Sequence, residues 1–258
     1  MSTVIYPSPI FGPVHSRRLG LSLGINVCPP DGKICSFDCI YCECGFNADF
    51  RPKSRMPSRE AVKAGLRETL EKMKAEGHLP DTLTFSGNGE PTGHPDFPGI
   101  VDDVLALRGE FCPKAKVSVL TNATRITKPA VFEALLKVDN PLLKLDTVNP
   151  DYIRLVDRPN AGYDLEAILE RMKAFGRRAI IQTMFMRGTF EGQDVDNTGE
   201  AFVGPWLDAV KAIGPKLVTI YTIDRETPDH DLMKAPPEVL DAIAARIREA
   251  GLEAQVSY

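Results

Sequence analysis

Three cysteines in the run Cys35-Ser36-Phe37-Asp38-Cys39-Ile40-Tyr41-Cys42 stand at a C-x3-C-x2-C spacing, with an aromatic residue before the last. Three thiolates gathered so closely can hold three irons of a four-iron cluster and leave the fourth iron open. An open metal position is what separates a reactive site from a structural one. Random placement of 6 cysteines in 258 residues gives this spacing roughly 0.003 times, so chance is a poor account of it. A zinc site completed by Cys28 or Cys44 is the other reading of the same thiols. Cys112 reads as a small buried hydrophobe.

The remaining candidate residues fall at the ends of predicted strands. One strand runs into Ser86-Gly87-Asn88-Gly89-Glu90-Pro91, a glycine-bearing turn that lets backbone approach a ligand closely. The next ends at Thr121-Asn122. Another carries Lys144 and Asp146 two apart, hence on one face, with Leu143 and Leu145 on the other. Gln182 and Thr183 interrupt an apolar run, and Thr219 and Tyr221 oppose Val218 and Ile220 before Asp224-Arg225. Polar groups on the inner face of a core strand need partners, and so many coincident strand ends point to one ligand-filled mouth.

Those residues require an alternating scaffold. Strands are predicted at 21–27, 82–86, 116–120, 142–146, 179–185 and 217–223, with a short one at 253–256. Helices are predicted at 58–75 (Ser58 as N-cap, with Val62, Leu66, Leu70 and Met73 as its apolar stripe), 100–107, 128–136, 165–175, 199–212 and 237–250. Such alternation implies parallel βαβ units, and six of them suit an α/β fold of the open, partial (β/α)6 TIM-like barrel type. No linker or repeat divides the chain, so residues 1–258 read as one domain with a cluster loop at 28–44. The polar stretch 187–198, with Asp194, Asp196 and Asn197, reads as a solvated or substrate-covering loop rather than a calcium site.

Composition bounds the partners. Hydrophobic residues at 43% and charged residues at 26% are ordinary for a globular protein, and a net charge of −4 offers no global attraction to nucleic acid or anionic membrane. Locally, Arg17, Arg18, Lys33, Arg51, Lys53, Arg55 and Arg59 cluster near the cysteines in sequence, most simply as a solvated basic face. No stretch reaches the length of a membrane span, and residues 1–13 lack the pattern of a secretory leader. A reducing cytoplasmic setting is therefore expected, in which clustered cysteines bind metal or do redox chemistry.

Together these residues resemble the radical S-adenosylmethionine (SAM) superfamily over nearly the whole chain. Within it they resemble a branch of compact iron–sulfur oxidoreductases related to the tRNA wyosine-base synthases. The resemblance rests on Phe11-Gly12-Pro13-Val14-His15-Ser16-Arg17-Arg18-Leu19-Gly20, the cysteine motif, Lys144-Leu145-Asp146, Arg158-Pro159, Ile181-Gln182-Thr183 and Tyr221-Thr222-Ile223-Asp224-Arg225. It implies that Cys35, Cys39 and Cys42 ligate a 4Fe-4S cluster whose fourth iron is chelated by SAM. It implies further that Tyr41 lies near the adenine and that Ser86, Gly87, Asn88, Gly89 and Glu90 bind the methionine amino group. Thr121 and Asn122 would lie by the ribose or carboxylate, with Asp146 and Gln182 adjoining the cofactor. An electron from reduced flavodoxin or ferredoxin would cleave SAM to a 5′-deoxyadenosyl radical, which takes hydrogen from a substrate facing Lys144, Asp146, Gln182 and Tyr221. Lys144 as ion-pair partner of Asp146 is favoured over an imine-forming lysine or a proton donor. Wyosine-base synthases use a second cluster held by further upstream cysteines, and only Cys28 lies upstream here. A tRNA-base-modifying enzyme and a non-catalytic iron–sulfur redox sensor or electron carrier stand as alternatives.

Overall fold

The computed structural model describes residues 4–16 and 20–258, so Arg17 and Arg18 of the upstream motif lie outside the described residues. Strand β1 (Ile10–Ser16) pairs antiparallel with β2 (Gly20–Ile25). After the cysteine loop come α1 (Arg59–Ala75), β3 (Thr82–Phe85), α2 (Phe97–Phe111), β4 (Lys116–Thr121), α3 (Pro129–Lys137) and β5 (Asn140–Lys144). The short helix α4 (Pro150–Tyr152) runs on as a π-helical turn, Ile153–Asp157, and leads to α5 (Leu165–Phe175) and β6 (Ile180–Met184). Then follow β7 (Met186–Phe190), β8 (Gln193–Asp194), α6 (Glu200–Ile213), β9 (Leu217–Tyr221), β10 (Leu232–Lys234), α7 (Pro237–Glu249) and β11 (Ala254–Ser257).

The main sheet has the order β1-β2-β3-β4-β5-β6-β9-β11, parallel throughout except for the β1–β2 hairpin, and curls into a half-barrel. The six predicted parallel strands are β2 to β6 and β9, and β11 extends the sheet beyond β9. The edge strand β1 was not predicted, because a hairpin strand needs no crossover helix to reveal it. A second sheet, β10-β7-β8, is antiparallel, and its β7–β8 hairpin takes up the first part of the stretch read as a polar loop. That loop reading is corrected. Asn197 turns inward and bonds Met186 N–H (2.9 Å) and the Met184 carbonyl (2.8 Å), while Asp196 pairs with Arg187 (3.2 Å), so these side chains lock a hairpin.

Alternation along each strand sorts the residues by face. Leu23, Ile25, Leu83, Phe85, Val117, Val119, Leu143, Leu145, Ile181, Val218 and Ile220 bury against the outer helices in the main core. On α1 the stripe Val62, Leu66, Leu70 and Met73 supplies the helix side, and Ser58 Oγ caps the helix by accepting Ala61 N–H (3.2 Å). The opposite face of the sheet is polar. Ser22 and Thr84 hydroxyls meet at 2.8 Å, Thr82 and Ser118 at 3.0 Å, and Asn140 donates to Ser118 (3.1 Å). Each buried hydroxyl thus has a partner, which is what makes a polar lumen affordable. No helix among the described residues is long and apolar enough to cross a membrane.

Candidate active site

The cysteine loop is seated between two backbone ledges at the C-terminal ends of the strands. On one side Ile34 N–H bonds the Asn88 carbonyl (3.0 Å) and Glu90 N–H bonds the Ile34 carbonyl (3.1 Å). Gly89 has φ +139, and a Cβ there would collide with the Ile34 carbonyl oxygen. Glycine at 89 is therefore required by the approach of the cysteine loop itself. On the other side Asp38 N–H bonds the Asp157 carbonyl (3.0 Å) and Ile40 N–H bonds the Val156 carbonyl (3.0 Å), both on the π-helical turn. Ile40, fully buried, anchors the loop in a second apolar cluster with Tyr152, Val156, Met184 and Ile223.

Around Cys39 the fold gathers a charged cluster. Lys144 Nζ lies 2.5 Å from Asp146 Oδ2, 2.7 Å from Asp157 Oδ1 and 3.6 Å from Cys39 Sγ. The Tyr41 hydroxyl accepts from Lys144 and donates to Asp146, whose other oxygen accepts Met184 N–H (2.9 Å). Burial works against the ammonium form, but the Asp146 and Asp157 carboxylates outweigh it and hold Lys144 well above the ordinary lysine range. Lys144 is thus the ion-pair partner of both carboxylates. Asp157 was missed from the sequence. It enters because the π-helical turn ends at Arg158 in the left-handed region (φ 51), with the guanidinium stacked on Phe46 and Phe190.

Around Cys35 a second cluster is built on Glu90. Its carboxylate accepts four hydrogen bonds, from Thr92 N–H (3.0 Å), Thr92 Oγ1 (2.6 Å), Thr121 Oγ1 (2.6 Å) and Asn122 N–H (2.6 Å). Glu90 thereby ties the turn after β3 to the end of β4, and burial pushes its carboxyl above the ordinary range. Asn122 is oriented to donate to Ser36 Oγ (2.9 Å) and toward Cys35 Sγ (3.5 Å). Asn88 faces elsewhere. Its side chain is spent on the backbone of Tyr6 (2.7 and 2.8 Å) and the Pro29 carbonyl (2.9 Å). Asn26, also missed from the sequence, donates to the Tyr6 and Pro7 carbonyls (3.1 and 3.2 Å) and accepts Cys28 N–H (3.0 Å). The two asparagines staple the segment before β1 to the base of the cysteine loop.

A cavity of about 290 Å³ is lined by Ser86, Gly87 and Gly89 of the turn after β3 and by Ser22, Thr84, Leu120 and Leu142 of the polar face of the sheet. Phe11, Tyr6, Glu43 and Arg225 line its remaining side. Arg225 bonds Glu43 (2.6 Å) and the Tyr6 hydroxyl (2.5 Å), joining the end of β9 to the cysteine loop. Gln182 pairs in register with Lys144 and Thr219, and its buried Oε1 has no hydrogen-bond partner among the described residues. Tyr221 packs at the edge of the second apolar cluster.

The profile of the radical SAM superfamily matches residues 30–201, more than half of the chain. The chain belongs to the radical SAM superfamily. This radical SAM protein is 32% identical over 227 residues to the UPF0026 protein slr1464 of Synechocystis sp., covering 85% of this chain and 77% of that one. It spans between 30% and 77% of the length of the curated relatives it matches. Its fold is similar to that of a radical SAM methyltransferase from Sphaerobacter thermophilus (15% identity, TM-score 0.66, 92% of this chain and 66% of that one). It is also similar to archaeal TYW1 (14% identity, TM-score 0.51, 89% and 72%).

Membership implies a 4Fe-4S cluster and SAM, and the cysteine environment of this radical SAM protein fits a cluster. All six cysteines are free of disulfides. An amide N–H is aimed at Cys35 Sγ and an ammonium at Cys39 Sγ, the donors that sulfur carrying negative charge needs. The hydrogen bond with Cys44 pulls the Cys42 thiol below the ordinary range, while burial pushes Cys35 above it. Among the described residues no three His, Cys, Asp or Glu side chains converge on a single ion, whereas cluster ligands bind separate irons.

Proposed function

We propose that this radical SAM protein cleaves SAM reductively and uses the resulting radical on a substrate held in the half-barrel lumen. Cys35, Cys39 and Cys42 hold the cluster, and residues 1–258 work as one domain. When bound, the cluster and SAM supply one-electron cleavage to a 5′-deoxyadenosyl radical. The chain's own residues orient and enclose. Ser86, Gly87 and Gly89 of the turn after β3 line the cavity, where their backbone can meet a ligand, and Glu90 fixes Thr121 and Asn122 beside Cys35. Lys144, Asp146, Asp157 and Tyr41 form a charged wall beside Cys39, with Lys144 as a fixed cation. Gln182 Oε1, buried and unpartnered, is the acceptor this wall offers to a bound molecule. The observation that carries the reading is the seating of the cysteine loop against the glycine turn, with Glu43 of that loop and Gly87 and Gly89 of that turn lining one cavity.

Anaerobic reconstitution with iron and sulfide, followed by dithionite and SAM, tests this. The expected outcome is about one four-iron cluster per chain and release of 5′-deoxyadenosine. Stoichiometric zinc with no SAM cleavage contradicts it. A redox sensor or electron carrier predicts a reducible cluster that leaves SAM intact.

A further inference from the structure

The polar face of the sheet carries a row of hydroxyls whose direction is set from one end. At the start of β5, Asn140 Oδ1 accepts from Lys216 Nζ (3.0 Å), which also donates to the Asp139 carbonyl (2.6 Å). An ammonium only donates, so Lys216 holds the oxygen of the Asn140 amide and leaves its nitrogen to face β4. That nitrogen donates to Ser118 Oγ (3.1 Å). Ser118 Oγ meets Thr82 Oγ1 at 3.0 Å, Thr82 Oγ1 meets Thr84 Oγ1 at 3.4 Å, and Thr84 Oγ1 meets Ser22 Oγ at 2.8 Å. The four hydroxyl residues are buried, Ser22 the most exposed at 4%. Among the described residues, none of these four hydroxyls has a further hydrogen-bond partner.

Each hydroxyl has one proton to give. The row has four protons but three contacts among its hydroxyls, because Asn140 already donates at the far end, so one proton is left over. Kept by Ser118 or Thr82, it would be a buried donor with no acceptor, an arrangement that folded proteins avoid. Kept by Thr84 or Ser22, it faces the cavity, which these two line and the other two do not. The surplus donor therefore collects at the cavity end of the row. Phe11, Leu120 and Leu142 line the same cavity, and apolar surroundings strengthen a hydrogen bond made among them.

We propose that Ser22 and Thr84 form a substrate subsite for an oxygen acceptor, a carbonyl or carboxylate group, and that Asn140 and Lys216 set this preference from the far end of the row. The proposal rests on the reading that substrate occupies the lumen, and it names the chemistry that the substrate presents there. Asn140 and Lys216 are positioning residues, acting through the direction of the intervening hydroxyls. A molecule that brings only an N–H donor to this end meets another donor and is rejected.

The test titrates the reconstituted protein with two small neutral probes, followed by ligand-observed NMR. N,N-dimethylacetamide only accepts hydrogen bonds and pyrrole only donates them. Wild-type protein should bind dimethylacetamide saturably and at least about tenfold more tightly than pyrrole. Acetate, titrated alongside, separates the two acceptor types: tighter binding than dimethylacetamide assigns a carboxylate, weaker binding a neutral carbonyl. Asn140→Asp keeps the contact with Lys216 but turns the amide donor into an acceptor. All four hydroxyl protons are then used within the row, and Ser22 and Thr84 offer only lone pairs to the cavity. The order of the two neutral probes should reverse in that variant, which a merely structural role for Asn140 would not bring about. Neutron diffraction from deuterium-exchanged wild-type crystals reads the same point without a variant, with a deuterium on Ser22 or Thr84 expected to point into the cavity. Equal probe affinities, no saturable binding of dimethylacetamide, an unchanged order in Asn140→Asp, or the spare deuterium on Thr82 or Ser118 overturns the proposal. Reductive SAM cleavage is assayed in parallel. Cleavage without the probe preference removes the subsite alone, whereas the preference without cleavage removes the proposed activity and leaves the subsite.

Discussion

At the scale of single residues, the deciding group is Lys144. Its ammonium sits between two buried carboxylates and a tyrosine hydroxyl, close to the Cys39 sulfur. Removing the cation leaves Asp146 and Asp157 facing each other with the lost charge uncompensated. Lys144→Met should therefore lower stability by about 3–5 kcal/mol, measured by urea denaturation. Wild-type stability in that variant would mean the lysine is not the keystone of this cluster. That Lys144 and Asp146 share a face was legible in their two-residue spacing. Asp157 was not, because a π-helical turn leaves no periodic mark in sequence and a non-glycine residue at positive φ, here Arg158, is not announced by residue type. Asn88 taught a similar lesson. Its partners are backbone atoms at Tyr6 and Pro29, 82 and 59 residues away, so its role in stapling the chain had no local signal.

At the scale of elements, the glycine turn after β3 and the cysteine loop are one unit. The glycines at 87 and 89 were legible as a place of close approach, but their neighbours were not. Gly87 (φ +129) makes room for the Asn26 side chain, which a Cβ would meet at 2.6 Å, and Gly89 makes room for the cysteine loop. Gly89→Ala should fold with normal helix content by circular dichroism yet load much less iron, because Ile34 and Cys35 can no longer seat. Full iron loading in that variant would show that the loop does not depend on this approach. The outer helices are joined by charge as well as packing. Asp103 on α2 receives Arg59 Nε (2.6 Å) and Lys63 Nζ (3.0 Å) from α1. The Arg59 hydrogen bond, with Lys63 assisting, holds the Asp103 carboxyl below the ordinary range. A carboxylate depressed in the folded state stabilises the fold above its unfolded value, about 3.9, and loses that contribution as pH falls through the lower folded value. Asp103→Asn should thus lower the urea midpoint modestly at pH 7, with the difference from wild type disappearing in acid. A difference that persists unchanged in acid would assign the effect to packing.

At the scale of the whole molecule, a half-barrel of parallel strands carries its cysteine loop at the C-terminal mouth and a hydroxyl-lined lumen beneath. The parallel architecture was legible because each βαβ unit needs an apolar strand and an amphipathic helix, and the chain alternates the two. The hairpin strand β1 and the small sheet β10-β7-β8 were not, since short antiparallel strands of mixed polarity look like loops. Those additions shape the cavity: Phe11 and Val14 of β1 line it, and Arg225 beyond β9 joins the cysteine loop at its rim. The proposed function depends on one iron being open to SAM beside these three cysteines. Electron paramagnetic resonance of the reduced, reconstituted protein with and without SAM addresses that directly. The predicted result is a four-iron signal whose g-values shift on adding SAM in wild type, and its disappearance in Cys39→Ala. A four-iron signal indifferent to SAM, or one retained in full by Cys39→Ala, would contradict the open-iron site on which the proposed function stands.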